Sequence, residues 1–176
     1  MSIFTCGKSL MWLNQIMFLK NYTSDVPVNQ TIFNIEKVLL KCGVSGINKD
    51  YGPDSKVIAV SFKVPAAGGD ITIRLPVNEK AAIDALWLDY ADGDKLNPTG
   101  DKFAYYNGRK KKARADFIDQ GQRTAWKIMQ DWIEVQMSMI QMKQADTIEV
   151  FMPYIWDGEQ TIYNRVKASG FKALLP

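Results

Sequence analysis

The stretch from Asp119 to Pro153, DQGQRTAWKIMQDWIEVQMSMIQMKQADTIEVFMP, is the longest periodic segment of the chain and constrains its fold most. Ala125, Ile128, Met129, Trp132, Ile133, Met139 and Ile140 recur at helical spacing. That pattern predicts a long helix with one broad apolar stripe, which must be buried against something. The covering partner is legible upstream. Ile58, Val60, Phe62 and Val64 alternate with Val57, Ala59, Ser61 and Lys63, and Ile71, Ile73 and Leu75 alternate with Thr72 and Arg74. A period of two on both sides of Ala66-Ala67-Gly68-Gly69 predicts an antiparallel hairpin.

The remaining elements follow from caps and breakers. Asn29 reads as the cap of a helix whose Ile32, Ile35, Val38, Leu39 and Cys42 share a face, with Val28 and Phe33 as a hydrophobic staple and Gly43 as its end. VSGINKDY reads as a weak strand followed by a turn. After Pro76, Asn78 is positioned to cap a helix carrying Ile83, Leu86, Trp87 and Tyr90. From Ala91 to Gly108 the composition marks a loop, and a turn at Asp157-Gly158 precedes a short helix around Ile162 to Lys167, closed by Gly170. An antiparallel sheet hides one face by laying helices across it, so the expected fold is α+β: a small antiparallel sheet covered by helices, the long amphipathic one among them. Residues 1–28 form an N-terminal arm or extension, 29–170 a single domain and 171–176 a tail. Trp126, Trp132, Trp156 and the methionines Met129, Met137, Met139 and Met142 are expected to pack in the interior.

The composition excludes several chemistries. The chain has no histidine among its 176 residues, so Ser-His-Asp triads, Cys-His pairs and His-ligated zinc are all absent. Its two cysteines, Cys6 and Cys42, cannot make a four-thiolate site and point to a reducing compartment. The opening residues are apolar but interrupted at Asn14 and Gln15, so a secretory signal is weak and no run is long enough to span a bilayer. Gly7-Lys8-Ser9 lacks the first glycine of a phosphate loop. Asp89, Asp92 and Asp94 read as a solvated acidic loop, and Glu36, Asp54 and Lys56 only faintly suggest the carboxylate and lysine set of a metal-dependent nuclease. The expectation is a non-enzymatic protein with no catalytic residues, metal or cofactor.

One segment points to a ligand. Tyr105 to Arg114 reads YYNGRKKKAR, placing Arg109, Lys110, Lys111, Lys112 and Arg114 directly after Tyr105 and Tyr106. Clustered cations neutralise phosphates, and adjacent aromatic rings stack on unpaired bases. Arg123 and Lys127, a turn apart on the long helix, are expected to extend this track along an exposed face. The bland alternative is a solvated basic loop, since the net charge of +3 is too small to demand a polyanion.

The helix Arg123, Ala125, Trp126, Ile128, Asp131, Trp132, Glu134 and Gln136, followed by Phe151, Pro153, Tyr154, Thr161 and Tyr163, resembles a family of small uncharacterised proteins of tailed phages and prophages. The hairpin end Ile73-Arg74-Leu75-Pro76 shares in the likeness, which covers most of Asn29 to Val166. The resemblance brings no established activity and implies a phage setting in the host cytoplasm. Two functions remain in view: a nucleic-acid-binding accessory protein of phage DNA metabolism, and a protein that binds and inhibits a host defence factor such as a CRISPR-type nuclease. Neither the partner nor the oligomeric state follows from the sequence.

Overall fold

The computed structural model describes residues 19–95 and 112–172. Cys6, the Gly7-Lys8-Ser9 triplet and the last four residues of the tail lie outside them. The element order is α1 (Val28–Lys41), β1 (Gly46–Tyr51), β2 (Val57–Ala66), β3 (Gly69–Arg74), α2 (Glu79–Lys95), α3 (Ile118–Gln141), α4 (Thr147–Phe151) and α5 (Ile162–Ala168). The strands form one antiparallel meander in the order β1-β2-β3. α3 packs against α1 on one flank and α2 on the other. The fold is therefore α+β, with a small antiparallel sheet and a long helix in the second half.

The β2–β3 hairpin follows the alternation, with Phe62 opposite Ile73 and Val64 opposite Ile71. The start of β2 departs from the expected phase. The β1–β2 register slips between Asp50 and Tyr51, so Tyr51 pairs with Val57 while Asp50 pairs with Ala59. Ile58 is the extra residue of this bulge and is 53% exposed, while Val57 turns inward in its place. A single inserted residue reverses which side chains face the core, and strict alternation across it fails for that reason.

α1 starts two residues earlier than expected. Pro27 occupies the cap, and Asn29 lies inside the first turn. Thr31 Oγ1 donates to the Pro27 carbonyl at 3.3 Å, and Phe33 faces solvent beneath Lys37 instead of stapling to Val28. The C-terminus behaves as read: Gly43, at φ +78°, donates to Leu40, and Val44 donates to Leu39, the paired bonds of a left-handed helix stop. Asn78 caps α2 through Ala81 N–H at 3.0 Å. That helix runs on to Lys95, past the expected loop boundary at Ala91.

The segment from Asp119 to Pro153 is not one helix. α3 stops at Gln141, Lys143 takes the left-handed conformation at φ +56°, and the chain restarts in α4. Asp146 caps α4 by accepting from Ile148 N–H at 2.8 Å, and Glu149 accepts from Asp146 N–H at 3.3 Å. This reciprocal pair is a helix-start signal that the apolar periodicity conceals.

The core joins Ile32, Ile35 and Leu39 of α1, Val60, Phe62 and Ile73 of the sheet, Trp126, Met129, Ile133 and Met137 of α3, and Phe151 of α4. Phe151 meets Phe62 and Trp132 edge-to-face at 5.3 and 5.7 Å. The buried stripe of α3 is rotated from the one read in the sequence. Gly121, Thr124, Trp126 and Gln130 are buried, whereas Ala125, Ile128, Trp132, Met139 and Ile140 are half-buried and Met142 is exposed.

Candidate nucleic-acid interface

The residues flanking the basic segment are held at the corner where α2 meets α3. Arg114–Phe117 forms a 3-10 turn leading into α3, started by Asp116, whose carboxylate accepts from Ala113 N–H at 2.7 Å. Phe117 closes an aromatic group with Trp87 and Tyr90, at ring separations of 6.1 and 5.4 Å. The Tyr90 hydroxyl accepts from Lys112 N–H at 3.3 Å, so the segment's last residues are tied to α2. Lys112 Nζ lies 5.4 Å from the centre of the Phe117 ring. No carboxylate among the described residues pairs with it. Tyr105, Tyr106, Arg109, Lys110 and Lys111 lie outside the described residues.

The other three cations of the expected track are engaged by the protein itself. Arg114 gives two guanidinium nitrogens to Asp84 Oδ1, at 2.7 and 2.5 Å. Arg123 pairs with Asp119, donates to Gln120 Oε1 at 2.7 Å and reaches the Ser24 carbonyl at 3.2 Å. Lys127 binds Asp131 Oδ1 at 2.8 Å, and the other oxygen of that carboxylate takes Lys20 at 2.7 Å and the Asn21 amide at 3.0 Å. Arg123 and Lys127 therefore do not line an open face.

They belong to a strap. The chain from Lys20 to Ser24 crosses α3, fixed by Gln120 Nε2 on the Tyr22 carbonyl at 2.7 Å and by Thr124 Oγ1 on the Asn21 carbonyl at 3.2 Å. Thr124 is fully buried beneath it. This segment is a turn, with Ser24 N–H bonded to the Asn21 carbonyl at 3.0 Å, and α3 supplies polar side chains to its backbone carbonyls. The end of the segment read as an arm is thus bonded into the domain. The same bonds explain why the stripe read from apolar residues alone was rotated: α3 buries polar groups on this flank.

Asp131 is the anchor of the strap. Burial works to raise its pKa, but the hydrogen bonds from Lys127, Lys20 and Asn21 outweigh it and hold the carboxyl well below the usual carboxylate range. A carboxylate with a depressed folded pKa contributes stability that is full above its unfolded value near 3.9 and is lost as pH falls toward the folded value. Asp131→Asn is expected to lower stability by about 1–2 kcal/mol at neutral pH, with Lys20 open to water and weakly held. Urea titrations at several pH values check this: the gap between wild type and variant is constant above about pH 4 and narrows progressively as pH falls below it. A gap that does not narrow in acid contradicts the assignment.

The faint nuclease set does not assemble. Glu36 pairs with Lys49 across α1 and β1 at 2.5 Å, and this hydrogen bond raises the lysine's pKa against the desolvation that lowers it. Asp54 accepts from Lys56 N–H in the β1–β2 turn at 3.3 Å. Among the described residues, no three His, Cys, Asp or Glu side chains converge on a metal position.

A second candidate escaped the sequence reading. Where β3 ends, Trp156 N–H donates to the Thr72 carbonyl at 2.8 Å and Ile155 bridges Ile73, so the α4–α5 connection adds to the sheet edge. Arg74, Trp156 and Tyr163 meet there around a cleft of about 390 Å³. In the sequence Tyr154, Thr161 and Tyr163 only carry the family resemblance, and nothing in their spacing indicates that they share a surface with Arg74. No helix among the described residues is long and apolar enough to cross a membrane. Comparison with protein-family models, with curated proteins and with solved structures finds no match to this chain.

Proposed function

We propose that this protein is a non-enzymatic nucleic-acid-binding accessory protein, acting in phage DNA metabolism in the host cytoplasm, with its phosphate contacts concentrated in Arg109 to Lys112. The observation that carries the reading is the run of four consecutive cations close behind Tyr105 and Tyr106. Its support is electrostatic: four adjacent cations release condensed counterions together, and the tyrosines add rings on which bases stack. Lys112, the one member of that run among the described residues, is exposed and pairs with no carboxylate there. Arg114, Arg123 and Lys127 are left out of the interface because each is held by a carboxylate of the fold.

A labelled oligonucleotide titrated at increasing salt tests the reading. Affinity is expected to fall steeply with salt, and K110A/K111A/K112A is expected to lose at least tenfold at low salt. Binding that ignores salt and survives the triple substitution contradicts it. A host protein that is recovered with this chain after nuclease treatment, with no oligonucleotide binding, selects the inhibitor of a host defence factor instead.

A further inference from the structure

We propose that the cleft between the end of β3 and α5 is a pocket for one unpaired nucleobase, which makes single-stranded nucleic acid the preferred ligand; this deepens the nucleic-acid reading and rests on it. The cleft has two aromatic sides, and one of them is fixed. Trp156 is pinned by its backbone bond to Thr72 and by the bridge to Thr161. Arg74 braces one face of its ring, with the guanidinium carbon 4.6 Å from the ring centre. Arg74 is itself fixed by Asp50, at 2.8 Å across β2. Tyr163, two residues beyond Thr161, offers a second ring and is 47% exposed although it lines the cleft. A held ring such as that of Trp156 favours base stacking, because little side-chain entropy is lost on binding.

The polar groups choose between a base and an apolar segment. Asn164 also lines the cleft, and its side-chain amide has no hydrogen-bond partner among the described residues. An amide presents one donor and one acceptor side by side, the pattern that reads the edge of a base. The charge at the rim is also complementary to phosphate. Lys167 Nζ sits 6.0 Å from the Tyr163 ring centre and meets no carboxylate among the described residues. An extended proline-rich segment also suits aromatic walls, but it leaves the amide and the Lys167 ammonium group unused. The volume lies near the lower end of the roughly 300–1,000 Å³ typical of ligand pockets. A cleft of that size suits a single base.

The test compares a short single strand with the duplex of the same sequence on the full chain, following the Trp156 indole N–H by NMR with W156F for assignment. The single strand is expected to shift that resonance. Tyr163→Ala and Asn164→Ala, both at exposed positions, are expected to weaken single-strand binding about tenfold while duplex binding stays within twofold. If both variants bind single strands as the wild type does and K110A/K111A/K112A does not bind, the cleft proposal fails and the nucleic-acid reading stands. If the wild type binds neither form, both fail. A proline-rich peptide that shifts Trp156 where the oligonucleotide does not also overturns the proposal.

Discussion

Gly121→Val is expected to unfold the protein at a urea concentration well below the wild-type midpoint, and Gly121→Ala to move it in the same direction. α2 and α3 cross at Gly121, where an added Cβ would stand 2.4 Å from Ile83 Cγ1 and 2.9 Å from both its Cα and its N. Two effects oppose each other in the alanine variant. Alanine favours a helix interior over glycine by about 1 kcal/mol. Overpacking a rigid contact costs about 1–3 kcal/mol. The clash wins because two of the three struck atoms are backbone of a helix, which has no rotamer to change. The net loss should be about 1–2 kcal/mol for alanine and more for valine. Trimming Ile83 to alanine should not rescue it, since Ile83 Cα and N remain. An alanine variant more stable than wild type would show that the helices do not approach this closely.

Trp126→Ala is the second large effect. The side chain is fully buried, and its indole N–H donates to Glu79 Oε1 at 2.7 Å, at the start of α2. Truncation opens a cavity and removes one partner of that carboxylate, a loss of about 3–5 kcal/mol. Domains of this size hold roughly 5–15 kcal/mol in total, so the variant stands at the edge of folding. Trp126→Phe keeps most of the volume and lacks the donor. It should cost about 1–2 kcal/mol, since Gln122 still binds Glu79 at 2.9 Å. Urea midpoints with unchanged slopes report both losses. An alanine variant within 1 kcal/mol of wild type, by the same bookkeeping, contradicts the packing described.

The elements that sequence reading found are those whose cause is local. The β2–β3 hairpin announces itself by alternation around a two-glycine turn, and Asn78 and Gly43 mark helix ends by the chemistry of their own positions. What it missed depends on partners distant in sequence. Ile58 faces outward because β1 slips against β2 at Asp50. α3 buries Thr124 and Gln130 along with its apolar residues, and Thr124 does so because the chain from Lys20 to Ser24 lies across it. Gly121 carried a readable hint, since an isolated glycine in a helical pattern usually has a packing reason. The candidate site divides the same way. A run of lysines is visible as composition, but whether Arg123 and Lys127 face solvent depends on where Asp119, Asp131 and residue 20 come to rest. Charge counting cannot separate a cation that serves the fold from one that serves a ligand.

That separation is the central claim, and the dependence of single-strand affinity on salt measures it. Logarithmic affinity is plotted against logarithmic salt concentration for the wild type, K110A/K111A/K112A and R123Q/K127Q, each below its unfolding midpoint. Removing three phosphate contacts should flatten the slope by roughly 2. R123Q/K127Q should keep the wild-type slope while losing thermal stability. A slope that flattens in R123Q/K127Q, or that is unaltered in K110A/K111A/K112A, contradicts the account.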